Sequence, residues 1–346
     1  MDPTSLVTEP KTFSRAEASG SPRNAGRRIL ITGGAGFLGV NATMHLIADG
    51  WHATVLDNLS RPGTERNLKW LITQHPAQTT FVKEDVRNAS AMAEHVKGQD
   101  AILHLAGQVA VTTSLLDPSA DFDINARGTL NVLEAVRLHN PEAPFVFAST
   151  NKVYGKLDRN NVACKESQPI DFHSPYGCSK GAADQYVRDY ARCFHMNTVV
   201  LRQSCIYGAH QYGTEDQGWV AHFVHSIINN RPMTIYGDGT QVRDLLDARD
   251  LCAFYSTVIQ NIDKTRGEIY NVGGGPQNQR NLLEVIERIG KLANRKPKYT
   301  FADWREGDQT YYVSDITKAK QALDWEPQIG FDRGLNELIA WAETVN

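Results

Sequence analysis

Between residues 28 and 39 the chain has the sequence RILITGGAGFLG, in which a short apolar run leads directly into four glycines. The apolar run predicts a buried parallel strand, and the amphipathic segment that follows, ending near Gly50, predicts a helix. In this arrangement Gly33 permits the tight turn, Gly36 lets the backbone approach a pyrophosphate, and Gly39 lets helix and strand pack closely. Because the free amides at the helix start point at the same place, the stretch predicts a dinucleotide site.

The next predicted strand, residues 53–56, ends at Asp57 and strengthens this interpretation, since a glycine pattern alone is a weak signal. A carboxylate at that place accepts hydrogen bonds from an adenosine ribose and repels a 2′-phosphate, which favours NAD over NADP. Arg61 argues the other way, because its guanidinium is able to pair with such a phosphate. The alternative for the glycines is a tight turn that binds no ligand.

Further short apolar runs predict parallel strands, and helical segments separate them, one of which runs from Ala126 to His139. The runs are residues 80–82, 101–105, 145–148 and 199–202. We therefore expect an α/β fold with a doubly wound parallel Rossmann sheet and a smaller C-terminal substrate lobe. The predicted boundaries are a flexible tail over 1–26, a cofactor domain over 27–205 with a returning segment near 245–272, and the lobe over 206–244 and 273–346.

Polar or small residues follow these strands at their carboxyl ends, where open parallel sheets bind ligands. Asp85 is a candidate for holding adenine, and Gly107 lets the middle of a cofactor pass close. Asn125 is a candidate for anchoring a backbone kink or a water. For Asp85 and Asn125 the alternative is helix or turn capping. The candidate cofactor-binding residues are Gly33, Gly36, Phe37, Leu38, Gly39, Asp57, Asn58, Arg61, Asp85, Val86, Leu105, Ala106, Gly107, Asn125, Ser149, Tyr176, Lys180 and Ser204.

The composition argues against several other classes of protein. Lys and Arg total 36 against 39 Asp and Glu, so the charge balance gives no reason to expect nucleic acid or an anionic membrane as a partner. The five cysteines are odd in number and lack a C-x-x-C pair. This indicates neither a disulfide framework nor a zinc site, and it fits a reducing, cytoplasmic compartment. No apolar run approaches the roughly 18 residues of a membrane-spanning helix.

A second informative stretch is residues 172–186, with the sequence FHSPYGCSKGAADQY. Ser174 and Pro175 predict a helix start, because Ser caps helices and Pro lacks the amide that would be left unpaired there. Tyr176 and Lys180 then lie about one turn apart on the same face. A nearby cation favours phenolate, so we expect Lys180 to lower the pKa of Tyr176 and make it a base. The spacing Y-x-x-x-K alone is weak evidence, because a chain with twelve tyrosines can match it by chance.

Four motifs in this order resemble the extended short-chain dehydrogenase/reductase family of nucleotide-sugar enzymes. They are TGGAGFLG at 32–39, LAG at 105–107, Thr150 followed by VYG at 153–155, and Tyr176 followed by Lys180. The resemblance runs from residue 27 to the C-terminus. It implies that Thr150, for which Ser149 is the alternative, hydrogen-bonds the reacting oxygen, that Tyr176 is the base and that Lys180 holds the nicotinamide ribose. It also implies a tightly bound NAD, regenerated in each cycle, and a homodimer or homotetramer.

The residues between Thr150 and Val153 favour one class of reaction. The 4,6-dehydratases of the family have a sequence similar to Thr-Asp-Glu here and the decarboxylases carry a glutamate, because both need a carboxyl group beyond the hydride step. This chain has Asn151 and Lys152 instead. The simplest remaining chemistry is the reversible oxidation of one carbinol, which is how the family's epimerases work.

Several longer stretches resemble one branch of that family, the CDP-sugar 2-epimerases. They are DNLSR at 57–61, HLAGQVA at 104–110, TTS at 112–114, STNKVYG at 149–155, residues 171–186, YAR at 190–192, NTVV at 197–200 and DQGWV at 216–220. The resemblance implies inversion at C2 of the CDP-paratose to CDP-tyvelose type, or of CDP-glucose to CDP-mannose. The segment 156–170 departs from the branch because it is shorter, which leaves the sugar's deoxy pattern open. The alternatives are a UDP-glucose type 4-epimerase and a non-catalytic NAD-binding regulator.

The C-terminal part supplies further candidates for binding a nucleotide sugar. QVRD at 241–244 and REGDQ at 305–309 resemble family segments whose arginines bind the diphosphate, and guanidinium groups suit phosphate oxygens. The alternative for Arg243 and Arg305 is a surface ion pair, and Trp219 either stacks on a base or fills core. The candidate substrate-binding residues are Gln108, Thr112, Asn151, Gln203, Trp219, Tyr236, Arg243, Arg305 and Asp308, and no metal site is expected.

Two further expectations concern local structure. Gly237 and Gly239 predict a hairpin turn after the strand at residues 233–236. His104, on a predicted buried strand, is expected to serve packing rather than catalysis.

Overall fold

The computed structural model of the protein describes residues 24–157 and 163–345. The predicted tail falls largely outside the described residues, and the 156–170 segment does so in part. The strands are β1 (Arg28–Thr32), β2 (His52–Asp57), β3 (Thr79–Lys83), β4 (Ala101–His104), β5 (Phe145–Thr150), β6 (Thr198–Gln203), β7 (Cys205–Tyr207), β8 (Met233–Tyr236), β9 (Val242–Asp247), β10 (Ile269–Val272), β11 (Gln279–Asn281), β12 (Tyr299–Ala302) and β13 (Tyr311–Tyr312). The helices are α1 (Phe37–Ala48), α2 (Thr64–Gln74), α3 (Ala89–His95), α4 (Val111–Leu116), α5 (Pro118–Phe122), α6 (Gly128–His139), α7 (Ser174–Cys193), α8 (Trp219–Ile228), α9 (Ala248–Gln260), α10 (Ile262–Thr265), α11 (Leu282–Leu292), α12 (Thr317–Leu323) and α13 (Phe331–Val345).

The central sheet has seven parallel strands in the order β10-β6-β5-β4-β1-β2-β3. The strand order reverses between β1 and β4, and a crevice at such a switch point is where open α/β sheets bind ligands. The predicted doubly wound parallel Rossmann sheet is therefore confirmed.

Helices cover both faces of this sheet because its strands are apolar on both sides. Ile29 and Ile31 of β1 belong to a core with residues of α1 and α9. Leu30 points the other way and joins a second core with residues of α3, α6 and α7. This alternation follows from the two-residue period of a strand and explains why the sequence shows continuous apolar runs.

The C-terminal part forms a lobe with its own apolar core from β8, β9, α8, α11 and α13. The hairpin predicted at Gly237 and Gly239 is wrong, because β8 pairs with β12 whereas β9 pairs with β7, β11 and β13. Both glycines do have positive φ values. However, the ring of Trp304 packs where a Gly237 side chain would lie, and the turn directs the two strands into different sheets.

Helix α7 begins as the sequence predicts. The Ser174 hydroxyl accepts a hydrogen bond from the amide of Gly177 at 3.2 Å, and Pro175 follows it.

Within residues 24–157 and 163–345, none of the helices combines the length and apolar character needed to cross a membrane. Over the same described residues, no group of three or more His, Cys, Asp or Glu side chains is arranged for a metal ion.

Candidate active site

A cavity of about 800 Å³ lies at the carboxyl ends of the central strands, between the sheet and the C-terminal lobe. The predicted cofactor residues that line it are Gly33, Gly36, Phe37, Leu38, Gly39, Asp57, Asn58, Arg61, Asp85, Val86, Leu105, Ala106, Gly107, Ser149, Tyr176 and Ser204. The predicted substrate residues that line it are Gln108, Thr112, Asn151, Gln203, Trp219, Tyr236, Arg243, Arg305 and Asp308. Thr150 also lines it, whereas Asn125 and Lys180 are buried just behind the wall. The fold thus gathers both predicted groups around one cavity.

The glycine turn after β1 leaves room for a pyrophosphate. Gly33 has a φ of 68°, and a Cβ there would lie 2.8 Å from the amide nitrogen of Ala106. A Cβ at Gly39 would overlap the backbone of Gly33 and Gly34. Helix α1 starts at the cavity without a side-chain cap, so its first amides can receive phosphate oxygens. This cradle fits a dinucleotide.

Asp57 ends β2 beside this turn. Its carboxylate accepts hydrogen bonds from the amides of Ala35 at 3.1 Å and Leu59 at 2.8 Å. Burial raises the pKa of Asp57, and these amides together with Arg61 oppose the rise. Each carboxylate oxygen can accept more than one hydrogen bond, so Asp57 can also accept hydrogen bonds from ribose hydroxyls. Arg61 instead donates a hydrogen bond across the cavity to Gln217.

Asp85 shows one of the two roles that the sequence left open, the capping of a turn. Its side chain accepts hydrogen bonds from the Arg87 amide at 2.9 Å and from Asn58 Nδ2 at 2.8 Å. The Arg87 side chain, through a further hydrogen bond, lowers the pKa of Asp85 to about 2. The turn role is therefore present, and contact with adenine stays a prediction for a residue that also lines the cavity.

His104 holds the loop after β4 through a chain of hydrogen bonds. The Thr129 hydroxyl donates to the Asn125 carbonyl at 2.6 Å, which leaves it to accept from His104 Nε2 at 3.0 Å. His104 Nδ1 then accepts from the Thr32 hydroxyl at 2.6 Å, and Thr32 accepts the Ala106 amide at 3.2 Å. Burial lowers the pKa of His104 to about 3, with Lys180 adding to the effect. His104 is a neutral packing residue, as expected.

Thr150 and Tyr176 meet at the cavity wall. Thr150 is the last residue of β5, Tyr176 lies in the first turn of α7, and the Thr150 side chain is near enough to lower the pKa of Tyr176. The Thr150 hydroxyl donates to Asn151 Oδ1 at 3.3 Å. Ser149 lies on the opposite face of the strand and donates to Asp184 at 2.7 Å. Because adjacent strand residues point to opposite faces, only Thr150 presents its hydroxyl beside the phenol. The structure therefore contradicts Ser149 as a stand-in for Thr150.

Substituting each hydroxyl residue in turn separates these two roles. We expect Thr150→Ala to lower kcat by about tenfold to a hundredfold, because it removes a hydrogen bond to the reacting oxygen. Ser149→Ala should keep kcat within about threefold and lower the free energy of unfolding by about 1 kcal/mol. Steady-state kinetics and urea unfolding of the two variants test this. The assignment is wrong if Ser149→Ala is the variant that loses turnover.

Lys180 lies one turn below Tyr176, behind Gly107. Its Nζ donates to the Ala148 carbonyl at 2.6 Å and sits 4.1 Å from the centre of the Phe147 ring. Burial lowers the pKa of Lys180 to about 7, against the opposing charges of Asp184 and Asp121. A Cβ at Gly107 would lie 3.9 Å from Nζ, so the absence of a side chain there brings the lysine close to the cavity.

The expected lowering of the Tyr176 pKa is not what the protein alone shows. Burial raises the pKa of Tyr176 to about 12, with Asp121 adding to the rise while Thr150 and Arg61 oppose it. The spacing of Tyr176 and Lys180 in the sequence gives no information on how deeply the phenol is buried. Burial has the largest effect on the pKa of Tyr176. The predicted role of Tyr176 as a base near neutrality therefore requires a positive charge supplied by what binds beside it.

Asp121 is a site residue that the sequence analysis missed. Its carboxylate is 1% exposed and accepts hydrogen bonds from Ser179 Oγ, from Asn125 Nδ2 at 3.2 Å and from Gln108 Nε2 at 3.0 Å. Asn125 also holds the Gln108 main chain, with its Oδ1 2.9 Å from the amide and its Nδ2 3.0 Å from the carbonyl. The Gln108 side chain is thus committed to the protein, contrary to its predicted role in binding substrate. The sequence shows no signal for Asp121, because its importance lies in a buried charge.

Asp121 should influence the pH dependence of turnover. Its negative charge raises the pKa of Tyr176 and opposes the lowering of the Lys180 pKa. Removing that charge in Asp121→Asn lowers both pKa values, so the acidic limb of the kcat profile should move to lower pH. A pH profile of both proteins measures the shift, and a move to higher pH would contradict this electrostatic role.

The two arginines predicted to bind the diphosphate line the same cavity from the C-terminal part of the chain. Arg243 Nη2 contacts Asp308 Oδ1 at 2.9 Å and the Gln309 carbonyl at 2.6 Å. Arg305 lies 3.8 Å from the centre of the Tyr236 ring and pairs with Glu215 at 3.2 Å. Both arginines therefore form ion pairs, Arg243 with Asp308 and Arg305 with Glu215, which was the alternative to phosphate binding. Each arginine nevertheless lines the cavity and keeps further donors for a phosphate.

Other predicted residues differ in how far their polar groups are free for a ligand. Gln203 Nε2 donates to the Tyr255 hydroxyl at 2.7 Å, and the Ser204 hydroxyl donates to Asp244, so both side chains are turned into the protein. Trp219 Nε1 lies 2.8 Å from Cys205 Sγ. Thr112 lines the cavity, but its hydroxyl oxygen is buried and has no hydrogen-bond partner among the described residues, so its predicted contact with substrate stays a prediction.

The family model described as GDP-mannose 4,6 dehydratase matches residues 30–338. The chain is 42% identical to the CDP-paratose 2-epimerase of Salmonella typhi, over 92% of this chain and 100% of that protein. It is 30% identical to a putative UDP-glucose 4-epimerase of Methanocaldococcus jannaschii, over 92% and 99% of the two chains.

Solved structures show the same architecture. The UDP-glucose 4-epimerase of Thermus thermophilus in complex with NAD superposes with a TM-score of 0.83 at 30% identity, covering 92% of this chain and 100% of that one. The dTDP-glucose 4,6-dehydratase of Streptomyces venezuelae, with NAD and TYD bound, gives 0.84 at 28% identity, covering 92% and 97%. The chain therefore belongs to the extended short-chain dehydrogenase/reductase family of NAD-dependent nucleotide-sugar epimerases and dehydratases.

Proposed function

We propose that the protein inverts C2 of a CDP-linked sugar by transient oxidation to a 2-keto sugar, rotation and reduction. The enzyme is an NAD-dependent nucleotide-sugar epimerase, and its cofactor is NAD. The observation that carries the proposal is the composition of the wall around Tyr176, where Thr150 is followed by Asn151 and Lys152 rather than by carboxylates. Epimerisation needs no further acid, whereas dehydration does. The similarity to the CDP-paratose 2-epimerase over the whole of that protein supports C2 as the reacting carbon.

The residues of the chain have separate tasks in this reaction. Tyr176 removes the proton of the 2-hydroxyl, and Thr150 keeps the oxygen in place through its hydroxyl. Lys180, whose Nζ would lie 3.9 Å from a Cβ at Gly107, would hold the nicotinamide ribose. Bound NAD would supply the acceptor and donor of the C2 hydride, and the positive charge of its oxidised form would favour the phenolate of Tyr176.

Inversion also requires that the 2-keto sugar turn over without leaving. Arg243 and Arg305 would hold the diphosphate while the sugar rotates in a cavity of about 800 Å³. The opposite face of C2 then receives the hydride. Since the cofactor is regenerated in each cycle, we expect it to stay bound to the purified protein. Assembly as a homodimer or homotetramer remains a prediction.

A UDP-glucose type 4-epimerase is the second candidate, because a structure of such an enzyme shares this fold over 92% of the chain. Product analysis separates the two. The purified protein, without added cofactor, is incubated with CDP-paratose and with CDP-glucose, and proton NMR follows the sugar signals. We expect the C2 epimer. Formation of the C4 epimer would favour the second candidate, and no turnover with CDP-, UDP-, GDP- and dTDP-sugars would favour a non-catalytic NAD-binding protein.

A further inference from the structure

Lys152 lines the cavity beside the catalytic pair, at the place that follows Asn151 and corresponds to the glutamate of the dehydratases in this family. It belongs to a short 3-10 turn over Asn151–Tyr154 that follows β5 directly. Its amide donates to the Thr150 hydroxyl at 3.2 Å, so its backbone is fixed to the residue that holds the reacting oxygen. The side chain is 18% exposed and therefore has a defined direction.

The ammonium of Lys152 faces the same acceptor as the predicted diphosphate-binding arginine. Nζ lies 3.9 Å from Asp308 Oδ1 and 3.5 Å from the Gly307 carbonyl, and Arg243 contacts that same oxygen of Asp308. The charged or titratable groups around Lys152 are Arg243, Asp308, Cys205, Lys156 and His173. Burial and the charge of Arg243 lower the pKa of Lys152 to about 8. Two cations that share one carboxylate form a site suited to another anion.

The chemistry of a nucleotide sugar ties the position of this anion to the reacting carbon. The diphosphate is attached to C1, which is bonded directly to C2, whereas C4 lies across the ring. When C2 faces Tyr176, the phosphate nearer the sugar must lie close to the catalytic pair. When C4 faces Tyr176, the same phosphate is displaced by the width of the sugar ring. A cation fixed to Thr150 therefore favours the first arrangement.

We propose that Lys152 binds the phosphate nearer the sugar and thereby selects C2 rather than C4 for oxidation at Tyr176. This inference rests on the proposed function and adds the residue that determines its regiochemistry. A lysine suits the task because its ammonium is a compact charge with rotatable donors. It can hold a phosphate while the attached sugar turns, whereas a planar guanidinium favours one fixed orientation.

The test compares Lys152→Met with the unaltered protein and with Lys69→Met, which removes an exposed lysine of α2 outside the cavity. We expect Lys152→Met to keep its NAD and to bind CDP about tenfold to a hundredfold more weakly, the usual effect of losing a charged hydrogen bond. Its ratio of C2 to C4 epimer from CDP-paratose should fall by at least the same factor. Lys152→Arg should recover CDP binding without recovering C2 turnover, and Lys69→Met should behave as the unaltered protein.

The pH dependence of CDP binding supplies a readout that does not need the variant to fold. Free Lys152 loses its proton as the pH rises through about 8. The affinity of the unaltered protein for CDP should therefore fall above that pH, and Lys152→Met should lack this fall. A flat affinity of the unaltered protein between pH 7 and 9, or an unchanged product ratio in Lys152→Met, overturns the inference. If the unaltered protein yields only the C4 epimer, the proposed function itself fails, whatever the variants do.

Discussion

Replacing Tyr176 by phenylalanine should lower kcat by about a hundredfold to ten-thousandfold, the usual contribution of a positioned acid or base. The substitution removes one hydroxyl from a ring that is 8% exposed, so the fold and the bound NAD should be retained. Steady-state kinetics, NAD content and thermal unfolding of the variant provide the measurement. Thr150 lies beside the phenol and is unchanged in Tyr176→Phe. Thr150→Ala is the matched control, because it removes the neighbouring hydroxyl and leaves the phenol in place.

The outcome decides whether Tyr176 is the catalytic base. Turnover within about tenfold of the unaltered protein would remove it from that role. Loss of turnover together with loss of NAD would instead assign it a structural part in binding. Only a large loss in kcat with NAD and stability preserved agrees with a base that acts on the bound sugar.

Removing the carboxylate of Asp184 should lower the free energy of unfolding by about 3 to 5 kcal/mol, as expected when a buried ion pair loses one partner. Asp184 is fully buried in α7, and Arg202 of β6 is 2% exposed. Arg202 makes two hydrogen bonds to it, at 2.8 and 2.9 Å. Burial alone would lower the pKa of Arg202, but the carboxylate raises it, so Asp184→Ala leaves a charged guanidinium buried without its main partner.

A double variant provides the control for this effect. Asp184→Ala combined with Arg202→Met removes both charges and should recover part of the lost stability, because an apolar pair can replace a buried ion pair at little cost. Urea unfolding of the single and double variants measures the free energies. A loss below about 1 kcal/mol in Asp184→Ala, the range of exposed pairs, would contradict the role of this ion pair.

This ion pair also connects stability to the site. Ser149 donates to Asp184 from β5, next to Thr150, and Asp184 belongs to the same helix as Tyr176 and Lys180. The pair therefore fixes α7 against β5 and β6. We infer that it sets the distance between the Thr150 hydroxyl and the Tyr176 phenol.

Local sequence predicted those parts of the fold that depend on neighbouring residues. The glycine cradle at Gly33 and Gly39 was predictable, because a missing side chain at fixed spacing has a direct steric meaning. The parallel strands were predictable from apolar runs bounded by turns. The hairpin after β8 was not, because β12 is the partner of β8 and lies more than 60 residues further along the chain.

The site shows the same limit. The alternation of a strand tells that Ser149 and Thr150 point to opposite faces, but not which face carries the cavity. Asp121 and Lys152 were not among the predicted site residues because burial, which makes their charges matter, is a property of the folded chain. The sequence showed a cation near Tyr176 but not the burial of the phenol. The pKa of Tyr176 was therefore expected to fall, whereas burial raises it.

In the proposed reaction a hydride leaves C2 and returns to C2 of the same sugar. CDP-glucose carrying deuterium at C2, and separately at C4, provides the direct test. We predict a primary isotope effect on kcat for the C2-labelled substrate alone, with the deuterium retained at C2 of the epimerised product. An isotope effect from the C4 label, or loss of the C2 deuterium to water, would contradict it.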